Sequence, residues 1–545
     1  MEYRSLSFHG WGINPDLIRR GAQLGFNDVT IQTEGGTTDE LAEIREVGRE
    51  EGYFELADEL DMTITVWVHE FEDYDGAWGP VALDNDRLWA AIAERYERVL
   101  EESLPEMDYL ALVVSECQIE VHEPPIVRRL VETINEQCRR TDTTLVLRTF
   151  HRHPDELERL SNAIDGLPPD VAVQNKNAPQ DFHVRSVPHP LIGAVGDRTE
   201  FVEVDLANEY YRQEHTAVCL TDDFAEQFEY WEEQGVDGVA ARVSRRGRGW
   251  RQKTAKSFHD VLDEAEEANL WTLGQLATEE SVDLDDLWAE FATHLFGAEA
   301  AGAMTRALRP TGEVVAEGLC VGDFHFGKTK WNGILPQSSG GVPALRTMRG
   351  YSRNSYRARA YDDETAEEFL LVSPFGRKAS QWRFDESAVP DYHRTRKGHP
   401  DVIAAKEAGY ESALETAAEC LDAVDEAEPH LPDDAYEYFR FKLEENEFHL
   451  RAMSEMQLAW LKASNRIYYE GTDRAWPDAT AEMRGHLATL ETLCDRYDES
   501  YDGEWRDETY SLDRGDYIDI PGFVFEFQRH FGIEDYESFS GRAAE

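Results

Sequence analysis

The sequence predicts a (β/α)8 TIM barrel followed by a mainly α-helical C-terminal region. Three observations predict it. Residues 1–265 hold eight short, almost continuously apolar runs rich in β-branched residues, which is how parallel strands buried on both faces read. Stretches with helical period lie between them, and eight strands with seven or eight helices is the count of a closed barrel. After about residue 265 the runs stop and long helical stretches take over. A doubly wound open sheet is the rival. It needs a Gly-rich phosphate turn after the first strand, and His9-Gly-Trp-Gly-Ile-Asn14 is a poor one.

The eight runs are SLSFHG (5–10), VTIQTE (29–34), TITVWVHEF (63–71), YLALVVSE (109–116), TLVLRTF (144–150), VAVQNKN (171–177), FVEVDLANE (201–209) and GVAARVS (238–244). Among the helical stretches, Asp16–Leu24 spaces Leu17, Ile18 and Ala22 along one face, and Arg87–Leu100 does the same with Leu88, Ala91, Ile92 and Tyr96. The predicted division is a catalytic barrel over 1–265 and a helical region over 266–545. The latter should contain helices at Leu284–Phe296, Asp401–Glu428, Asp433–Ile467 and Asp478–Tyr497. Residues 310–400, richer in Gly and aromatics, read as loops and short elements. No repeat is visible.

The chain has 545 residues, with 110 acidic against 54 basic, a net charge of −56. Hydrophobic residues at 41% and aromatics at 11% supply a large core and exclude a disordered acidic chain. The acid is dispersed and Lys is scarce, as on a protein from a very salty cytoplasm, a halophilic archaeal type, where self-repulsion is screened. Nucleic acid is excluded as a partner, because phosphates are repelled. The six Cys form no CxxC pair, so reduced thiols are expected rather than zinc or disulfides. No apolar run of about 18 residues suggests a membrane span and no apolar leader is seen. A cytoplasmic location without a membrane partner is the expectation.

In a barrel of this kind the chemistry sits at the C-terminal ends of the strands. Those ends offer His9 and Trp11; Gln32 and Glu34; His69, Glu70 and Glu72; Ser115 and Glu116; Arg148, His151 and His153; Lys176, Asn177, Asp181 and His183; Asp205 and Glu209; and Arg242 and Arg245. Carboxylates, cations and aromatics therefore meet at one mouth. Glycosidic cleavage needs an acid to protonate the leaving oxygen and a carboxylate to activate water or attack carbon. Arg148 and Lys176 suit a substrate carboxylate, and Trp11, Trp67, Trp78 and Tyr210 suit sugar faces. Each also has a plainer reading. A strand-end acid is often only solvated, and His9, His69, His151 and His183 read first as hydrogen-bonded loop residues. A charge inside an apolar strand, as at Arg148, either serves a ligand or pairs with an acid of another strand.

Val173-Gln-Asn-Lys-Asn-Ala-Pro-Gln-Asp181-Phe182 is similar to the pattern VQxKNGPxDFQ, Pro190-Leu-Ile-Gly-Ala194 to SPLFGA, and Leu206-Ala-Asn-Glu209-Tyr210 with Gln213 to ITQEYxGQ. By these segments the chain resembles glycoside hydrolase family 67, the α-glucuronidases. Val114-Ser115-Glu116, Leu147-Arg148-Thr149-Phe150 and the stretch from Ala268 to Ala277 also resemble family segments, in the same order. The resemblance is collinear from about residue 10 to 300 and most specific over 173–213.

The resemblance implies Glu116 as general acid, with Asp181 and Glu209 activating water in an inverting reaction. The carboxyl groups should then stand roughly 6.5–9.5 Å apart, and Glu116 should be kept protonated by burial or a neighbouring acid. Arg148 and Lys176 match residues that hold a glucuronate carboxylate. Trp11, Asn177, Tyr210 and His183 complete the implied substrate site. The implied substrate is a small xylo-oligosaccharide bearing (4-O-methyl-)glucuronic acid; no cofactor or metal is implied, and a homodimer through the C-terminal helices is. Three departures stand out. Leu112 occupies a position that is Lys in the family, the barrel pattern begins within the first ten residues so that the family's preceding β-rich domain is expected to be absent, and Arg242–Arg248 with an added helix replaces the family's loop after the eighth strand. Two other readings remain. A metal-dependent sugar isomerase or epimerase could use Glu70, Glu116, His151 and Asp181, and a non-catalytic, uronate-binding barrel would explain Leu112.

Overall fold

A computed structural model describes residues 1–9, 13, 15–33, 38–71, 74, 76–114, 123–149, 154–178, 182, 184, 188–206, 216–243, 264–279, 281–321, 324–325, 400–469 and 479–500. Eight strands close a barrel in sequence order: β1 (Tyr3–His9), β2 (Asp28–Gln32), β3 (Thr63–His69), β4 (Tyr109–Val113), β5 (Thr144–Thr149), β6 (Ala172–Lys176), β7 (Glu200–Asp205) and β8 (Gly238–Arg242). Every neighbouring pair is parallel, and β8 returns to β1 with Tyr3 opposite Gly238. All eight predicted runs are strands, each ending one to four residues earlier than its apolar run.

The helices around the barrel are α1 (Pro15–Gln23), α2 (Thr38–Glu50), α3 (Tyr53–Glu59), α4 (Asp86–Arg98), α5 (Pro124–Thr141), α6 (Pro154–Ile164), α7 (Thr221–Gln234) and α8 (Glu264–Thr278). Helix α5 shows why they form. Proline opens it, where no N–H is needed; Ile126, Val127, Leu130, Val131, Ile134 and Cys138 bury one face, and Asp142 ends it in the left-handed region at φ 61°. Asn85 caps α4 by accepting from the Leu88 N–H.

Alternation along each strand separates two cores. Leu6, Phe8, Val29, Ile31, Val66, Val68, Leu110 and Leu112 face outward under the helices. Tyr3, Trp67, Ala111, Val113, Val146, Ala172, Phe201 and Ala240 fill the barrel interior. At its N-terminal end Tyr3 stacks on Phe201 at 4.0 Å and meets Tyr109 edge-on at 5.3 Å.

Beyond the barrel come α9 (Leu284–Phe296), α10 (Ala301–Leu308), α11 (Thr311–Leu319), a short hairpin of β9 (Cys320–Val321) and β10 (Phe324–His325), and then α12 (Pro400–Ala427), α13 (Asp433–Tyr469) and α14 (Ala479–Ser500). All four helices predicted here are present, with ends that agree to within a turn. The stretch read as loops and short elements begins with a short helix, α11. Its glycines suggested turns but serve close packing. A Cβ on Gly312 would fall 2.1 Å from the Cys219 carbonyl oxygen, and one on Gly318 would fall 3.3 Å from the Leu450 Cα. Most of the remainder of 310–400 lies outside the described residues. The buried Lys406 of α12 donates to the Glu317 carboxylate at 3.1 Å, to the Cys320 carbonyl at 2.9 Å and to the Glu317 carbonyl. A cation is favoured there because the last carbonyls of α11 have no helical partner.

Among the described residues Cys138, Cys219, Cys320 and Cys420 are buried, and no helix is long and apolar enough to cross a membrane.

Candidate active site

Inward-facing residues near the C-terminal ends of β3 and β5–β8 build the mouth end of the interior. Arg148 of β5 and Glu203 of β7 pair across the intervening β6. The Arg148 Nε donates to Glu203 Oε2 at 2.6 Å and its Nη2 to Oε1 at 3.0 Å. Gln174 of β6 lies between them and donates to Glu203 Oε2 at 3.1 Å. The Trp67 ring of β3 lies against the Arg148 guanidinium, 4.0 Å from Cζ to centroid. Glu203 is wholly buried. Burial alone would raise its carboxyl; the charges of Arg148, then Lys176 and Arg242, outweigh it and hold the pKa below the ordinary value.

Lys176, the last residue of β6, is buried with its Nζ 4.0 Å from the centroid of Phe182. Arg242, the last residue of β8, reaches the same ring with its Cζ at 5.5 Å. Phe182 thus meets two cations with its electron-rich ring, and the residue that precedes it in the chain is Asp181. His189 is buried nearby. Burial, and then the charge of Lys176, push its imidazole down to about 3. Its Nδ1 accepts the Leu191 N–H at 3.2 Å, so the proton of the neutral ring sits on Nε2.

Of the residues singled out from sequence, Arg148 and Lys176 therefore come together, both beside Glu203. Of the two readings of Arg148, the structure has the pairing with an acid of another strand. Asn177 is turned aside. Its Nδ2 donates to Gln227 of α7 at 2.8 Å, tying the loop after β6 to the helix layer. Gln32 donates to Ser7 at 2.6 Å within the barrel. The Glu70 carboxylate is taken by Tyr96, at 2.9 Å, and by Arg95, both of α4. Leu112 faces the helix layer, so the position where the family has Lys does not look into the barrel. Glu116, Asp181, Glu209, Trp11, His183 and Tyr210 lie outside the described residues, as do Glu34, Glu72, His151, His153 and Arg245.

Sequence reasoning missed Glu203 and gave Arg242 no role. A signal for Glu203 was available. It stands two residues before Asp205 in Phe-Val-Glu-Val-Asp, so it shares the inward face, and a buried arginine demanded an acid within reach.

Residues 151–257, which carry β6, β7 and β8, match the glycosyl hydrolase family 67 middle domain. A comparison with curated proteins finds no match. Among solved structures, the chain is similar to a mutant form of the Thermobaculum terrenum O-GlcNAc hydrolase, with a TM-score of 0.44, 10% identity, and coverage of 97% of this chain and 94% of that one. It is also similar to the GH20 β-N-acetylhexosaminidase of Streptomyces coelicolor A3(2), with a TM-score of 0.35, 11% identity, and coverage of 55% and 69%. The Pseudomonas stutzeri endoglucanase Cel5A aligns with a TM-score of 0.34, 10% identity, and coverage of 52% and 94%. The family 67 match, over the strands that supply Lys176, Glu203 and Arg242, supports a glycoside hydrolase.

Proposed function

We propose that the chain is an exo-acting, inverting glycoside hydrolase that releases glucuronic acid, or its 4-O-methyl form, from short xylo-oligosaccharides. One observation carries this reading. In a chain with 110 acidic and 54 basic residues, three buried cations, Arg148, Lys176 and Arg242, gather around Glu203 at the barrel mouth, two of them inside the family 67 match. Buried positive charge at the end of a barrel where substrates bind is suited to a sugar that carries a carboxylate. Arg148, paired with Glu203 through its Nε and Nη2, and Lys176 together take the uronate carboxylate.

In this reading Glu116 gives its proton to the glycosidic oxygen as the bond from that oxygen to C1 breaks. A water attacks C1 from the opposite face and yields its proton to Asp181 or Glu209. The products are a uronic acid of inverted configuration and the shortened oligosaccharide. We place the enzyme in a salty cytoplasm, as a dimer through its C-terminal helices.

The test is hydrolysis of aldouronic acids in multimolar KCl. Glu116→Gln should lower kcat at least about a hundredfold, and proton NMR of the first product should show inversion. Wild-type rates in the variant sink the acid assignment. Loss of wild-type activity in EDTA favours the isomerase reading, and tight binding without turnover favours a binding protein.

A further inference from the structure

After β7 the chain re-enters the described structure at Thr216. Thr216–Leu220 is buried but belongs to no helix or strand, so its peptide groups have no ladder to join and need other partners. Side chains of three helices supply them. Asn446 of α13 accepts the Ala217 N–H at 3.0 Å and donates to the Ala217 carbonyl at 2.8 Å. Asn269 of α8 accepts the Leu220 N–H at 2.7 Å and donates to the Val218 carbonyl at 2.9 Å. Thr311, the first residue of α11, accepts the Cys219 N–H at 3.0 Å, while its own hydroxyl proton goes to the Leu308 carbonyl at 2.6 Å. All three side chains are buried. Trp288 of α9 then donates to the Thr221 hydroxyl at 3.0 Å, and Gly312 leaves room for the Cys219 carbonyl.

We infer that this clasp is a positioning device, through which the C-terminal helices hold Thr216–Leu220, which begins seven residues after Glu209, in place and so support the barrel's chemistry. The inference rests on the proposed role of Glu209 in activating water. Asn446 and Asn269 each hold an N–H and a C=O at once, so moving the segment out of the clasp would give up four buried hydrogen bonds. On the other side of Glu209, Leu206, the last described residue before it, is also held, its N–H donating to the Arg242 carbonyl at 2.9 Å. A general base displaced by about 1 Å can lose a hundredfold in rate. Asn446 and Thr311 are positioning residues, because they act through the backbone and not on the substrate.

The experiment compares Asn446→Leu, Thr311→Val and Thr311→Ser in the full chain. The first two should lower kcat on an aldouronic acid about tenfold or more, with KM within about threefold. Amide exchange at Ala217 to Leu220 should quicken, and Thr311→Ser, which keeps the hydroxyl, should restore both readouts. Folded Asn446→Leu and Thr311→Val proteins with kcat within twofold of wild type overturn the inference. If the asparagine variant does not fold, the Val and Ser pair decides by the same criteria. A wild-type protein inactive on every uronic-acid glycoside breaks the functional reading by itself. The exchange comparison then judges the clasp, and unchanged protection in Asn446→Leu overturns it.

Discussion

The two ends of the barrel interior each bury a carboxylate completely, Asp28 at the N-terminal end and Glu203 at the mouth, and treat it in opposite ways. Asp28 meets only hydroxyls. Thr63 and Thr65 donate to Oδ1 at 2.7 and 2.9 Å, and Ser5, Tyr3 and Thr30 donate to Oδ2 at 2.6, 3.0 and 3.1 Å. Five neutral dipoles do not offset the burial, and the carboxyl is pushed up to about 6. Glu203 meets Arg148, with Lys176 and Arg242 beyond, and its carboxyl is held down. Depth of burial does not decide ionisation here; the charge of the neighbours does. One end is a structural plug, and the other keeps fixed charge where a charged ligand would arrive.

The largest effect should come from breaking the charged end. Arg148→Met or Glu203→Leu alone strands a buried charge and should cost about 3–5 kcal/mol in denaturant unfolding. The double variant should cost less than the two single costs summed, since Arg148 and Glu203 no longer need each other, while Lys176 and Arg242 stay beside position 203. A cycle whose two single costs add up to the double cost would show that the pair is not coupled.

At the neutral end the lever is pH. A raised carboxyl binds its proton more tightly in the folded state, so its stabilising contribution is complete below the unfolded value of 3.8 and is lost as pH rises through about 6. Unfolding midpoints of wild type and Asp28→Asn, measured from pH 3.5 to 7.5, should diverge by about 3 kcal/mol across that window, at roughly 1.4 kcal/mol per pH unit. Wild type should lose stability relative to the variant as pH rises. Glu203, being depressed, works the other way. Its contribution is present above the unfolded value of 4.5 and lost as pH falls through the folded one. A flat difference curve for Asp28→Asn would mean that the hydroxyl ring outweighs burial after all.

The same contrast explains what was legible beforehand. The strands could be read because burial on both faces leaves an almost unbroken apolar run, as in Tyr109–Val113. The long helices could be read because apolar residues recur at three and four positions. Helix α11 could not, because Gly312 and Gly318 look like turn formers in sequence, and their real role, making room for Cys219 and Leu450, depends on residues 93 and 132 positions away. Arg148 was legible as a buried charge in need of a partner; which of the two readings held was not, since Glu203 lies 55 residues on and across another strand. Asn446, 229 residues from Ala217, carries no local signal at all. An asparagine inside an amphipathic helix looks the same whether it meets water or a buried backbone.

The smallest effect concerns Phe182. Phe8 is as fully buried, but it packs under the helices among apolar neighbours, whereas Phe182 offers its ring to Lys176 at 4.0 Å and to Arg242 at 5.5 Å. Phe→Leu at either site removes similar volume, and the resulting loss of packing should be alike. Phe182→Leu should cost about 1 kcal/mol more, because leucine has no quadrupole to face a desolvated cation. A cycle with Lys176→Met isolates that share: the aromatic change should matter less once the ammonium is gone. Equal costs at positions 8 and 182, with no coupling to Lys176, would leave Phe182 a packing residue. The order of residues 176 to 182 would then say nothing about how the mouth holds its charge. A coupling of the expected sign would mean that the strand end bearing the buried Lys176 and the residue that follows Asp181 are fixed by one contact.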